Sequence, residues 1–269
     1  MILRTLNRST LDCSSFDSTV HSIETLLNLP AHRILEVIAS FDCNAHSRSH
    51  PEDHRNLHEL LLERLAEHGA TCVDPSGIYW FHGTRALNPE TLKEGIRSLD
   101  QQIEVIWQEL SVLAHGYISE HAWQEFRTAV ETGDPYNSSR RFRDRLANDP
   151  NRGPRAVLIR DALFYPDRFT GWNYLAAPET IHDICASFQV HFGQDLLSEF
   201  RRHSRACIVK FRDDRVQQRA LGIALSYLWC WHHEGNCTKC DTCYESGGNS
   251  IDAYSIEQIE EVADQDVPE

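Results

Sequence analysis

The sequence predicts an α+β fold in which a β-sheet core follows a helical N-terminal segment. Leucine and isoleucine recur at helical spacing before residue 70. Short runs of aromatic and β-branched residues, which have the length of strands, come later in the chain. The stretches between those runs return to helical spacing. We therefore divide the chain into a helical N-terminal segment, residues 1–74, and a second domain, residues 75–269.

Composition limits the class of protein. The 269 residues are 41% hydrophobic and 25% charged, which is normal for a globular protein with one sizeable core and an accessory segment. No run approaches the ~20 apolar residues of a membrane span, and the first residues lack the apolar part of a signal peptide. We expect a cytoplasmic protein without a membrane partner. The formal charge of −14 opposes long-range attraction to nucleic acid, although arginines crowd residues 140–155 and a local basic groove is possible.

The N-terminal segment contains helical patterns and one polar break. Ser22 to Leu27 and Ile34 to Ile38 have helical spacing and are separated at Pro30, and Leu57 to Leu65 repeats leucine in the same way. The stretch from Cys43 to His54 is rich in His, Ser and Asp, a composition that favours a loop.

The second domain begins with a strand. Ile78 to Phe81 is aromatic and β-branched, as a buried strand should be, and it runs into His82 and Gly83. Asn88 to Glu94 then predicts a short capped helix with proline in its first turn, which Gly95 ends.

The remaining elements alternate helix and strand. Ile103 to Val130 has a helical pattern, and two apolar runs, 156–159 and 206–211, predict strands. Between these strands a helix begins near Pro178. It places four apolar residues on one face: Ile181, Ile184, Cys185 and Phe188.

One segment resembles a known family. The run Trp80-Phe81-His82-Gly83-Thr84-Arg85, with the later pair Gly95-Ile96, resembles the first nucleotide-binding strand and helix of the diphtheria-toxin-like ADP-ribosyltransferases, which include the poly(ADP-ribose) polymerases. The resemblance implies a split β-sheet core that binds NAD⁺ through residues 82–85. His82 would hydrogen-bond a ribose hydroxyl, and Gly83 would let its backbone approach the nicotinamide carboxamide.

A second segment resembles the family's tyrosine motif. The run from Trp172 to Glu179 resembles a strand that bears tyrosine and is followed by a helix, where aromatic rings stack on nicotinamide. Tyr174 and Phe188 are the candidates for these rings. Packing in the core is the alternative for both.

The third family element is a glutamate near a late strand, which stabilises the positive charge formed as nicotinamide leaves. The run from Asn249 to Ile259 resembles that strand, but Ser250 stands at the glutamate position. Glu245 and Asp252 are nearby alternatives. The resemblance therefore implies a catalytic set of His82, Tyr174 and either Ser250 or Glu245.

Clustered cysteines indicate a second kind of site. Cys237, Cys240 and Cys243 form two C-x-x-C steps, and Cys230 or a neighbouring histidine would complete four tetrahedral zinc ligands. Such a zinc would be structural. A loop of reduced cysteines is the alternative.

The resemblance implies an NAD-dependent ADP-ribosyltransferase that modifies an intracellular macromolecule, either protein or nucleic acid. Many compact bacterial relatives are toxins or anti-phage effectors restrained by an antitoxin, and we expect the same here. Two enzymes are alternatives: an NAD glycohydrolase that uses water as acceptor, and an RNA phosphotransferase of the related fold, which also handles an ADP-ribose chemistry. A non-enzymatic binding module is a third alternative, because Ser250 stands at the glutamate position, and zinc-dependent nucleic-acid binding through the cysteine cluster is a fourth.

Overall fold

The computed structural model describes residues 9–133, 136–147, 152–166, 171–215, 219–235 and 243–268. Of the residues that the structure describes, 56% are helical and 16% are in strands, so the predicted α+β class is confirmed.

Helices make up most of the described chain. The α-helices are α1 Phe16–Leu27, α2 Ala31–Ser40, α3 Cys43–Ser49, α4 Leu57–Glu67, α5 Leu99–Ala114, α6 Glu120–Thr132, α7 Asn137–Ala147, α8 Glu179–Phe192, α9 Leu196–His203 and α10 Ala220–Glu234. The strands are β1 Thr10–Leu11, β2 Gly77–Ala86, β3 Gly95–Ile96, β4 Arg155–Val157, β5 Arg205–Asp213, β6 Cys243–Glu245, β7 Ile251–Asp252 and β8 Ile256–Val262.

The main sheet is mixed. Its strand order is β6-β4-β2-β5-β8, and β1 pairs in parallel with β2. β2 pairs antiparallel with β4 at Phe81 and Val157, and β5 pairs antiparallel with β8 along its length. A separate two-stranded sheet joins β3 and β7. The strands predicted at 78–81, 156–159 and 206–211 thus correspond to β2, β4 and β5.

Contacts divide the chain into two units. The first comprises residues 1–81, 157–162 and 212–243, and the second comprises 82–156, 163–211 and 244–269. In the first unit, α1 and α2 pack on each other, and α10 packs on α1, α2 and α4. The helices predicted from Ser22 to Leu65 are present there.

Helix α3 corrects one expectation in the first unit. We predicted a loop from Cys43 to His54, but Cys43–Ser49 is helical. The side chain of Asp42 accepts a hydrogen bond from the amide of Ala45 at 2.8 Å and so caps the helix start. The helix ends before Pro51, as the backbone of proline requires. The composition of this polar stretch does not indicate that Asp42 caps the start of a helix.

The second unit has its own apolar core. Helices α5 to α9 contribute buried side chains to one cluster, including Trp107, Phe126, Phe142, Phe188 and Phe200. The helical pattern from Ile103 to Val130 is divided into α5 and α6, because Gly116 follows the first helix and Ser119 caps the second. The capped short helix before Gly95 is confirmed as a 3₁₀ helix, Pro89–Glu94, with Asn88 as its cap.

In the part of the chain that the structure describes, no helix has both the length and the apolar character of a membrane span.

Candidate functional site

A cavity of about 270 Å³ lies at the end of β2 and belongs entirely to the second unit. Residues 82–86 line it, together with the 3₁₀ helix and β3, one face of α5, residues 152–155 and the start of α8. We call it the His82 cavity. The four residues predicted to bind the cofactor from this strand, His82 to Arg85, all line it.

His82 is half-buried and held by one defined contact. Its Nδ1 lies 2.6 Å from the carbonyl oxygen of Arg155. A carbonyl only accepts, so Nδ1 carries the proton and donates it, which leaves Nε2 as the acceptor in the neutral ring. Burial lowers the pKa of His82 below 6.5, although the bond to the Arg155 carbonyl acts in the opposite direction. The ring is therefore mainly neutral at pH 7.

Two glycines bring the walls of the cavity close together. A Cβ at Gly83 would lie 2.9 Å from Leu163 Cδ2 and 3.4 Å from Tyr174 Cβ, so the segment that carries Tyr174 packs against this backbone. Gly95 has φ +108°, and a Cβ there would lie 2.4 Å from the carbonyl oxygen of Ile251. Glycine is required at this position because β3 turns out of the 3₁₀ helix directly onto β7.

Tyr174 lines the cavity, but the strand predicted around it is wrong. Residues 174–176 form a turn, and Asn173 Oδ1 accepts a hydrogen bond from the amide of Ala176 at 3.0 Å. An asparagine side chain that bonds the backbone further along the chain favours such a turn over a strand. Tyr174 thus reaches the cavity from a turn that leads into α8.

A chain of polar contacts extends from Tyr174. Its hydroxyl donates to Oε1 of Glu179 at 3.2 Å, and Oε2 of Glu179 lies 2.8 Å from Nε of Arg145. Arg145 also pairs with Asp183, whose side chain is fully buried and which Arg141 contacts as well. Two arginines and one buried carboxylate thereby fix the position of Glu179 at the cavity.

Arg85 has a structural role in this geometry. Although it lines the cavity, it is buried, with an exposed fraction of 6%. Its guanidinium donates to Ser204 Oγ at 2.8 Å, to the Arg201 carbonyl at 2.7 Å and to Asp264 Oδ1 at 2.6 Å. These internal contacts occupy the donors that we had expected to face a cofactor.

The lining side chains carry more positive than negative charge. Five arginines line the cavity against three glutamates, whereas the whole chain has a formal charge of −14. The arginines are Arg85, Arg97, Arg145, Arg152 and Arg155. Three of them come from the arginine-rich stretch 140–155, and one of these, Arg145, is paired with Glu179 and Asp183.

The glutamates of the lining were not identified from the sequence. They are Glu94, Glu109 and Glu179. Glu94 pairs with Arg97 at 3.2 Å near the surface. Glu109 is half-buried on α5, and burial raises its pKa above 4.5. A helical glutamate carries no sequence signal that distinguishes a cavity wall from a solvated face.

Phe188, the second candidate for ring stacking, does not line the described cavity. It is completely buried in the apolar core, where its ring lies 5.5 Å from Phe126 and 6.0 Å from Trp123. The position of Phe188 therefore agrees with the alternative interpretation, in which it packs in the core.

The late-strand candidates also lie elsewhere in the described structure. The hydroxyl of Ser250 accepts from the amide of Ser98 at 2.8 Å and lies 3.0 Å from Gln101 Oε1, a contact that ties the segment before β7 to the start of α5. Glu245 is exposed in β6, and Asp252 is exposed opposite Gly95. None of the three lines the His82 cavity.

The predicted zinc ligands are only partly within the described residues. Cys237 and Cys240 lie outside them. Cys230 is buried near the end of α10, and Cys243 is exposed at the start of β6. Within the described ranges, no three His, Cys, Asp or Glu side chains are grouped in a way that could hold a metal ion.

Comparisons of the chain with protein-family models, with curated proteins and with solved structures found no match.

Proposed function

We propose that this chain binds NAD⁺ in the His82 cavity and transfers ADP-ribose to a macromolecule, with a core of the ADP-ribosyltransferase type. The observation that carries the proposal is the meeting of His82, Gly83 and Tyr174 at one cavity. These residues come from the two separate segments that resemble the family. Gly83 and Tyr174 are 91 positions apart in the sequence, yet a Cβ built on Gly83 would lie 3.4 Å from the Cβ of Tyr174.

The state of His82 suits a ribose hydroxyl. Because Nδ1 donates to the Arg155 carbonyl, Nε2 of the neutral ring presents a lone pair. A sugar hydroxyl can donate to that nitrogen. A protonated imidazole could not accept such a bond.

Tyr174 and Gly83 suit the nicotinamide. The tyrosine supplies a ring for stacking from a turn that its neighbours fix. Gly83 lines the same cavity and has no side chain that would obstruct a carboxamide. Phe188 does not line the cavity and has no role in this proposal. Tyr174 is therefore the single ring that stacks on nicotinamide.

The five arginines and three glutamates of the lining give it a net positive charge, which favours an anionic ligand such as a dinucleotide, although Arg85, Arg97 and Arg145 also bond to carboxylates of the chain. A diphosphate is an anion, and arginine forms paired hydrogen bonds with phosphate oxygens. A volume of about 270 Å³ lies just below the usual range for small-molecule sites, which begins near ~300 Å³. The cavity would therefore enclose the reacting nicotinamide riboside part and leave the adenosine part outside.

Glu179 supplies the carboxylate of the proposed site, which the resemblance had placed at or near position 250. Departure of nicotinamide leaves positive charge on the ribose, and a fixed carboxylate stabilises this charge more in the transition state than in the ground state. Glu179 lines the cavity and bonds to Tyr174, whereas Ser250 bonds to the start of α5.

A labelling experiment tests the proposal. Purified protein is incubated with a cell lysate and NAD⁺ labelled in the adenylate phosphate. We expect label on a macromolecule, which nuclease or protease digestion assigns to nucleic acid or protein. His82→Ala should abolish labelling, while His121→Ala, the same change at an exposed histidine of α6, should leave it intact.

Other outcomes support the alternatives. Free ADP-ribose without labelled macromolecule indicates an NAD glycohydrolase. NAD⁺ binding in calorimetry without cleavage indicates a binding module. If the folded wild-type protein neither binds nor cleaves NAD⁺, the proposal is wrong.

A further inference from the structure

Helix α5 presents one face to the His82 cavity, and Glu109 is the only carboxylate on that face among the described lining residues. Leu99, Gln102, Ile106 and Glu109 line the cavity at steps of three and four residues. This spacing places them on the same side of a helix. The position of Glu109 along α5 therefore places it on the helix face that lines the cavity.

The carboxyl group of Glu109 differs from the other two acids of the lining. Glu179 and Glu94 each pair with an arginine. No hydrogen bond or ion pair joins Glu109 to any residue that the structure describes. Apolar side chains of the core, Ile106, Ile181 and Phe200, line the same cavity. Burial is the resolved cause of the raised pKa of Glu109.

A half-buried acid without a partner lowers the stability of a protein, because desolvation is not offset by a contact. Such a group in a cavity is a candidate for chemistry rather than for structure. The usual tasks of a carboxyl with a raised pKa are to give or to take a proton.

We propose that Glu109 is the general base that removes the proton of the acceptor as it attacks NAD⁺. The inference rests on the proposed function and adds to it the residue that activates the acceptor.

The proton balance of the reaction requires a general base and not a general acid. The acceptor oxygen or nitrogen forms a bond to C1′ of the ribose, and the bond from C1′ to the nicotinamide nitrogen breaks. The bonding electron pair returns to the pyridinium ring, so nicotinamide leaves neutral and needs no proton. The attacking group must lose one. Glu109 takes this proton as a carboxylate, becomes the carboxylic acid and returns the proton to water.

Other charged groups line the same cavity and bear on any pH profile. They are His82, Arg85, Glu94, Arg97, Arg145, Arg152, Arg155 and Glu179. The direct neighbours of α5 among the helices, α6 and α9, add none to the lining. Burial raises the pKa of Glu109 above 4.5 and lowers the pKa of His82 below 6.5, so the two titrations are shifted towards each other. Saturating NAD⁺ separates them, because His82 acts in binding.

The test compares Glu109→Gln with Glu104→Gln. Both residues are on α5, but Glu104 is exposed, pairs with Arg127 and lies outside the cavity lining. Nicotinamide release from saturating NAD⁺ is measured in single turnovers, with water as acceptor and again with lysate. General-base catalysis contributes typically about 10²- to 10⁴-fold, so Glu109→Gln should slow release by about 10²-fold or more.

Four further readouts distinguish a base from a structural residue. Glu109→Gln should retain the wild-type Kd for NAD⁺, and its melting temperature should be equal to or higher than that of the wild type, because the unpartnered acid is removed. It should also lose the acid limb of the single-turnover pH profile, and Glu109→Asp should recover part of the rate. Equal rates and pH profiles for Glu109→Gln and Glu104→Gln would overturn the inference while the proposed function stands. A wild-type protein that does not cleave NAD⁺ overturns both.

Discussion

The hydroxyl of Tyr174 donates a hydrogen bond to Oε1 of Glu179, five residues further along the chain, over 3.2 Å. The other carboxylate oxygen of Glu179 lies 2.8 Å from Arg145. An aromatic ring and a carboxylate of the same cavity are therefore held by one polar chain. In the proposed function, this contact joins the group that stacks on nicotinamide to the group that faces the ribose.

Two substitutions of Tyr174 should separate these tasks. Tyr174→Ala removes the ring, and aromatic stacking on a base is worth about 1–3 kcal/mol, so the Kd for NAD⁺ should rise by about 5-fold to 150-fold. Tyr174→Phe keeps the ring and should keep the Kd, while the rate of transfer falls because Glu179 loses a donor. Tyr254→Ala, at a tyrosine that is 87% exposed, is the control. Calorimetry that finds equal affinity for Tyr174→Ala and wild type would remove Tyr174 from the site.

The affinity for NAD⁺ should depend on the protonation of His82. Burial lowers its pKa below 6.5, so affinity should be constant above pH 6.5 and decrease as the pH falls through the lower value. His82→Gln offers an amide oxygen in place of Nε2 and cannot titrate. We expect weaker binding for this variant but no pH step. Calorimetry between pH 5 and 8 checks this (a range around the usual titration of histidine), and a step that persists in His82→Gln would contradict it.

Asp183 should contribute strongly to stability. Burial raises its pKa, but contacts with His182, Arg141 and Arg145 outweigh this effect and leave the pKa below 3.8. Loss of one partner of a buried ion pair costs about 3 kcal/mol or more, so Asp183→Asn should lower the free energy of unfolding by about that amount. Glu90→Gln, which breaks an exposed pair with Lys93, should cost about 0.5 kcal/mol or less.

The same acid predicts a pH effect. Because the folded-state pKa is lowered, the stabilisation is complete above the unfolded value of 3.8 and is lost as the pH falls through the folded value. Urea unfolding should show that Asp183→Asn is less sensitive to acid than wild type below about pH 4. Equal acid sensitivity in the two proteins would exclude Asp183 as a source of this effect.

Gly95→Ala should be one of the more damaging single changes in the second unit. The backbone has φ +108°, and the added Cβ would lie 2.4 Å from the Ile251 carbonyl. We expect a loss of about 2 kcal/mol or more, from strain and from a disrupted β3–β7 pair. Gly116→Ala is the matched control, since a Cβ there meets nothing within 4 Å. Thermal unfolding of the two variants compares them directly, and equal melting temperatures would contradict the expected strain.

The cysteine cluster remains a zinc prediction. The purified protein should carry about one equivalent of zinc bound near Cys237, Cys240 and Cys243. A chelator should remove it and lower the melting temperature, because a structural zinc stabilises the fold that holds it. If elemental analysis finds no zinc in protein purified under reducing conditions, the zinc prediction is wrong and the alternative, a loop of reduced cysteines, holds.

Local rules explain which parts of the site the sequence could reveal. Strand β2 and the capped turn to Gly95 follow from neighbouring residues and both are present, but the strand continues past His82 to Ala86. Glu109 could not be found in this way. It lies five positions from Glu104 on the same helix, and only the packing of α5 makes one acid exposed and the other half-buried.

Tertiary contacts also decide the positions of other candidates. Phe188 fits a helix face equally well as a core residue or as a ligand contact, and the core holds it. Ser250 was selected from its place in a late segment, but its hydroxyl bonds to the start of α5. The residues next to Phe188 and Ser250 in the sequence give no indication of either contact.

The position of helix α5 also affects the spectroscopic properties of the protein. Its Trp107 is 1% exposed and lies edge-on to Trp123, with 5.6 Å between ring centres and Arg127 over the indole. Buried indoles emit at shorter wavelengths than hydrated ones, and two that are this close couple in near-ultraviolet circular dichroism. Since the same helix forms a wall of the His82 cavity, a ligand that shifts α5 would change the optical signal of these rings. The protein thus contains an intrinsic reporter with which binding can be followed without a label.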